Sequence, residues 1–113
     1  MKTIISGGRN YELTRKDVDF IWTLPITEVV SGHCNSGADY WGEMWAGNNN
    51  IPLKLFPADW EKHGKAAGPI RNRQMAEYAE AVILFPGGRG TDSMYQEAKR
   101  AGLKIFDRRQ GNI

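Results

Sequence analysis

The chain is poor in the features that would place it outside the ordinary globular class. It has one cysteine, Cys34, in 113 residues, so no intrachain disulfide can form and stability has to come from a packed core. A lone cysteine also fits a reducing compartment, and a cytoplasmic protein is expected. No apolar run is long enough to span a bilayer, and Met1 leads straight into a strand-like stretch, so neither a membrane partner nor a leader peptide is expected. Charge of one sign is lacking as well. Fifteen Lys and Arg face 13 Asp and Glu, and a formal net charge of +2 without a basic run argues against nucleic acid. The two histidines, His33 and His63, have no metal-ligand spacing to each other or to Cys34, so no metal is expected. There is no G-x-G-x-x-G after a strand and no Gly-Lys-Ser/Thr, which sets aside NAD binding and ATP hydrolysis and leaves no cofactor expected.

What is present is 13 glycines placed at the ends of apolar runs, and a regular alternation of strand-like and helix-like segments. Strands are predicted over 2–6, 27–31, 53–56, 81–85 and 103–106, each a short apolar run bounded by turn residues. Between them lie helical spacings. Val18, Ile21 and Trp22 follow an N-cap at Thr14 with Asp17 three residues on. Ala38, Trp41, Met44 and Trp45 make a second face that ends at Asn48-Asn49-Asn50. Ile70, Met75, Tyr78 and Ala79 make a third behind Pro69. Met94, Tyr95, Ala98 and Ala101 make a fourth that stops at Gly102. The segment 57–68 reads as a long connection of functional character, and 107–113 as a polar, mobile tail.

Alternating strands and helices over residues 1–113 predict one α/β domain: a three-layer, Rossmann-like open parallel sheet of about five strands in the order 3-2-1-4-5, with helices on both faces. Strands one and four then lie side by side where the order reverses, and ligands bind outside the carboxyl ends of strands at that point. Two glycine turns carrying an arginine fall there, Gly7-Gly8-Arg9 and Pro86-Gly87-Gly88-Arg89-Gly90-Thr91. Glycines let a backbone come close to a ligand, and free N–H groups at a helix start face an anion. The second turn opens a helix, and Thr91 adds a hydroxyl. The loop 31–39 lies beside them. Arg71, Asn72 and Arg73 crowd the start of the third helix, where positive charge opposes the helix dipole, so they read as placed for an anion or paired with acidic neighbours.

These motifs resemble the SLOG superfamily, the Rossmann-like group that includes DprA/SMF and LONELY GUY proteins. The matches are Gly7-Gly8-Arg9, Ser31-Gly32, Gly37-Ala38-Asp39 and the Pro86 to Thr91 turn. Phe56-Pro57-Ala58-Asp59-Trp60, followed by Gly64-Lys65-Ala66-Ala67-Gly68-Pro69-Ile70-Arg71-Asn72-Arg73-Gln74-Met75, is similar to the hallmark of the small YspA-like branch. The resemblance implies a pocket for a nucleotide or nucleotide-derived ligand, in a protein of bacteria or their phages. LONELY GUY enzymes carry P-G-G-x-G-T-x-x-E, whose glutamate works on the N-glycosidic bond of a nucleoside monophosphate; this chain has Met94 at that place, and Glu97 lies a turn further on.

The expected ligand set is therefore Gly7, Gly8, Arg9, Ser31, Gly32, Gly37, Asp39, Trp60, Lys65, Arg71, Asn72, Arg73 and Pro86 through Thr91 (Pro86, Gly87, Gly88, Arg89, Gly90, Thr91). Arginines and the turn backbone would hold phosphate, while Asp39, Asp59 and Trp60 would face sugar and base. If the chain is an enzyme, Asp39, Asp59 or Asp92 has to serve as the carboxylate of an N-glycosidase. Each has a plain structural role open to it: Asp39 as a helix-start carboxylate, Asp59 as a solvated loop acid, Asp92 as a cap. Single-strand nucleic-acid binding, by analogy with DprA, is the third reading and has the charge balance against it. Four tryptophans in so short a chain favour a homo-oligomer.

Overall fold

The computed structural model describes residues 1–34 and 36–109. Five strands, β1 (Lys2–Ser6), β2 (Glu28–Ser31), β3 (Leu53–Leu55), β4 (Ala81–Leu84) and β5 (Lys104–Asp107), form one sheet in the order β3-β2-β1-β4-β5. Every pairing is parallel. The helices are α1 (Arg15–Trp22), α2 (Gly37–Asn48), the one-turn α3 (Trp60–His63), α4 (Ala67–Tyr78) and α5 (Arg89–Ala101). This is the Rossmann-like arrangement that the alternation predicts.

The strand sequences explain the layers. A strand presents alternate residues to opposite faces, and the inner strands are apolar at both parities. Ile4, Val30, Val82 and Leu84 pack with Met75 and Ala76 of α4 and Met94 and Ala98 of α5. Ile5, Val29, Ile83 and Phe85 pack with Ile21 of α1 and Ala38, Trp45 and Ala46 of α2. Helices on both faces are what bury a parallel sheet. Each fully buried aliphatic side chain contributes about 1.5–3 kcal/mol. Register places Ile4 beside both Val30 and Val82, so β1 and β4 end level with one another and β2 ends one residue short of them.

Polar residues fix the ends of the helices. Asp17, 2% exposed, closes a capping box: its Oδ2 accepts from Thr14 N–H at 2.9 Å, and its own N–H donates to Thr14 Oγ1 at 3.1 Å. The same carboxylate takes the Tyr11 hydroxyl, whose ring stacks on Phe85 at 5.5 Å. Burial, with Asp17 beside it, pushes the Tyr11 phenol up to about 12. Gly102 ends α5 in the left-handed conformation, φ 74°.

Several expectations need correction. The segment 57–68 is not an open connection: it holds α3 and a 3-10 turn, Gly64–Ala66, that runs into α4. Because α4 starts at Ala67, Arg71 to Arg73 lie in its second turn, past the reach of the N-terminal dipole, and the conflict inferred for them does not arise. Asp107 belongs to β5, Arg108 N–H donates to Leu84 O at 2.8 Å and Arg109 is ion-paired, so 107–109 are not a mobile tail; 110–113 lie outside the described residues. Of the tryptophans placed on helical faces, Trp45 is buried, while Trp22 is 57% exposed and meets Trp45 edge-on. No helix among the described residues is long and apolar enough to cross a membrane.

Asp17→Ala removes the acceptor for two donors at once and leaves the Tyr11 hydroxyl unpaired. It is expected to lower stability by about 2–3 kcal/mol in urea unfolding; a loss under about 0.5 kcal/mol, the size of an ordinary surface change, would contradict the role given to the box.

Candidate functional site

Three loops leave the carboxyl ends of β1, β2 and β4 and touch. Gly8 N–H donates to Pro86 O at 2.9 Å, and Gly8 O accepts from Ala38 N–H, in the first turn of α2, at 3.3 Å. There is no room for side chains between them. A Cβ on Gly87 would stand 2.6 Å from Gly8 N and 2.1 Å from Thr91 Oγ1. Gly37 takes φ +71°, and a Cβ there would stand 2.1 Å from Gly8 O and 2.7 Å from Arg9 Cα. The two arginine-bearing turns thus meet at the reversal point of the sheet. Gly88 and Gly90 behave differently. Neither has a positive φ, and a Cβ on either would meet nothing within 4 Å.

Arg71 and Asn72 tie this end of the sheet to α4. Arg71 Nη1 donates to Gly32 O at 2.7 Å, and its Nε donates to Asn72 Oδ1 at 3.1 Å. Asn72, 5% exposed, uses its Nδ2 on Gly90 O at 3.3 Å and Ser93 Oγ at 3.2 Å. One buried amide therefore holds both the Arg71 guanidinium and the first turn of α5.

Asp39 stands on the other side of Arg71. The point a Gly32 Cβ would occupy is 2.5 Å from Arg71 Nη1 and 3.0 Å from Asp39 Oδ2. Cys34 N–H donates to that carboxylate at 3.3 Å. Burial pushes the Asp39 carboxyl up from its ordinary range; the Cys34 hydrogen bonds and the Arg71 charge oppose this, and Glu43 adds to it. The Cys34 thiol is also pushed up, first by burial and then by Asp39, which holds it in the unreactive form. Glu43, one turn along α2, accepts from Ser31 Oγ at 2.7 Å and lies 3.2 Å from His33 Nδ1. Ser31 Oγ also takes the N–H of His33, which has φ 60°.

Other expected site residues lie apart from this cluster. Asp59 caps α3, accepting from Lys62 N–H at 3.1 Å, and Trp60 leans its exposed ring toward Gly68. Lys65 is exposed in the 3-10 turn. Arg73 turns to Glu97 at 3.5 Å, a carboxylate it shares with Arg100. Asp92 does not cap α5, because the cap position is Gly88; its Oδ1 is instead 3.1 Å from Arg109 Nη1. Among the described residues no three His, Cys, Asp or Glu side chains gather as metal ligands.

Two residues of this end escaped the sequence reading. Glu43 is signalled by its i,i+4 spacing from Asp39 on a helix. Arg109 is signalled by Asp107, two residues earlier at a strand end, which forks onto it through Oδ1 at 2.9 Å and Oδ2 at 2.7 Å. That pairing holds the Asp107 carboxyl below its usual range.

A doubly wound parallel sheet whose glycine turns meet at the reversal point defines a Rossmann-like protein. More narrowly, the chain belongs to the YspA, cpYpsA-related SLOG family, whose model matches residues 1–63. It is also similar to the Gene 61 protein of Mycobacterium phage D29, with 41% identity over 94% of this chain and 94% of that one. No solved structure matches it.

Two stability measurements test this geometry. Gly87→Ala drives a methyl into the Gly8 backbone and is expected to cost about 1–3 kcal/mol or more, whereas Gly90→Ala, in open space on a helix, is expected to be neutral or stabilising by up to about 1 kcal/mol. Equal losses from both in urea unfolding would contradict the packing described. For Asp39, a raised folded-state pKa means that its contribution is complete below the unfolded carboxylate range and is lost as pH rises through the folded value. Asp39→Asn, which keeps an oxygen for Cys34 N–H, should therefore raise Tm at pH 7, with the gain closing as pH falls to about 3.9 and below. A lower Tm at pH 7 would overturn the burial argument.

Proposed function

We propose that the chain binds a nucleotide or nucleotide-derived ligand as a sensor or sequestering protein, with phosphate on the N–H groups that open α5 and the charges of Arg9, Arg71 and Arg89 around it. The observation that carries this is Gly90, in the first turn of α5. Among the described residues nothing requires glycine there, since Gly90 is helical, has no positive φ and has no neighbour within 4 Å of a Cβ, whereas Gly88 is the helix cap and has a backbone conformation that suits glycine. A glycine in the first turn of a helix costs about 0.5–1 kcal/mol against alanine. Close approach of an outside group to the backbone accounts for keeping it. The free N–H groups and positive end of a 13-residue helix suit an anion there. Membership of the SLOG family supports a nucleotide-related guest. Arg73, engaged with Glu97, is left out of the proposed set.

Cleavage of an N-glycosidic bond is the competing reading. The half-buried, pKa-raised carboxyl of Asp39 beside Arg71 favours it. Against it, the place of the LONELY GUY glutamate is taken by Met94, which is 0% exposed in the core.

Thermal-shift and calorimetric titration with nucleoside mono-, di- and triphosphates separates these readings. Binding is expected to raise Tm with ligand concentration. Arg71→Gln and Gly90→Ala are expected to weaken it about tenfold or more, while Gly90→Ala keeps its stability. Chromatography of the same mixtures should show no free base. Release of base would replace the sensor by the enzyme, and the absence of any Tm shift across the panel would overturn the nucleotide reading.

A further inference from the structure

Beside the Pro86 turn, on the side away from Asp39, an open cavity of about 620 Å³ is lined by Pro86, Gly87, Asp92, Asp107 and Arg109. Its charged groups form one network. Asp107 commits both oxygens to Arg109, at 2.9 and 2.7 Å, and the guanidinium lies over the Tyr95 ring at 4.7 Å. Asp92 gives only Oδ1 to that guanidinium, at 3.1 Å. Its side chain is 69% exposed, and among the described residues its Oδ2 accepts no hydrogen bond.

Among the described residues, two carboxylates against one guanidinium leave this cavity with one net negative charge. A second phosphate is disfavoured there by like-charge repulsion, and a neutral group that donates hydrogen bonds is favoured. Asp92 is the fourth residue of α5, about 4.5 Å along the axis from Arg89 at 1.5 Å per residue. A helical Cα–Cβ bond tilts toward the N-terminus, so its carboxylate reaches back toward the turn.

We propose that this cavity takes the ribose of a bound nucleotide, and that Asp92 accepts hydrogen bonds from its 2′ and 3′ hydroxyls. The proposal rests on the phosphate seat at the start of α5. It orients the ligand: phosphate toward Arg9 and Arg71, sugar toward β5. Arg109, clamped by Asp107 and backed by Tyr95, holds Asp92 in place. Asp39 and Asp59 are released from the sugar role, since the first is held beside Arg71 and Cys34 and the second caps α3.

The test is calorimetric titration of the wild-type chain, Asp92→Asn and Asp92→Ala with AMP, GMP, CMP and UMP and with their 2′,3′-dideoxy counterparts. For the best-bound base, the wild type is expected to prefer the ribonucleotide about tenfold or more, and both variants are expected to reduce that ratio to within about twofold. The ratio is the readout, so a uniform change in affinity does not count. Equal affinity for the two forms in the wild type, or an undiminished ratio in both variants, overturns the ribose assignment and leaves the phosphate seat standing. Failure of every nucleotide to bind the wild type overturns both.

Discussion

The contact between the backbones of Gly8 and Gly87 is the constraint on which this end of the molecule depends. β1 and β4 are neighbours with helices on opposite faces, so the chains leaving them diverge and open a crevice. Only residues without side chains let the two turns stay in contact at its floor, through Gly8 N–H to Pro86 O. That contact sets where α5 starts, and Gly8 O sets where α2 starts by accepting from Ala38. The starts of two helices are thereby held against one turn. Moving either turn outward by the width of a methyl would separate them.

Charge is arranged around that opening with little help from the overall balance. A formal net charge of +2 says nothing of a local field, yet Arg9, Arg71, Arg89 and Arg109 all belong to the carboxyl edge of the sheet. Their roles divide by what holds them. Arg71 is fixed by Gly32 O and Asn72, and Asn72 carries the connection on to Gly90. Arg109 is neutralised by Asp92 and Asp107 and so serves as a support for carboxylates more than as an anion site. The half-buried carboxyl of Asp39 next to Arg71 is unfavourable in its charged form, and burial is the cause.

Much of this was legible in the sequence because the signals were local. Apolar runs of both parities mark strands covered on both faces, and the alternation with helical spacings leads to the observed order β3-β2-β1-β4-β5. The Thr14–Asp17 box and the Gly102 stop appear as read. What failed depended either on contacts distant in sequence or on a junction without a local signal. Asp107 and Arg109 look like a polar tail until β5 pairs with β4 and brings them to Asp92, 17 residues from Arg109. The start of α4 moves to Ala67 because α3 and the 3-10 turn run into it without a break, and no capping residue announces that junction. The inward turn of the Asn72 amide comes from the packing of α4 against α5, which no local pattern announces.

The central claim is that the two glycine turns and the start of α5 make one phosphate seat. A crystal structure of the protein grown with a nucleoside 5′-monophosphate tests it most directly. The account predicts phosphate oxygens within hydrogen-bond distance of the backbone N–H groups between Gly88 and Thr91, with the Arg71 guanidinium facing them. Phosphate bound elsewhere on the molecule, with those N–H groups facing only solvent, would contradict it.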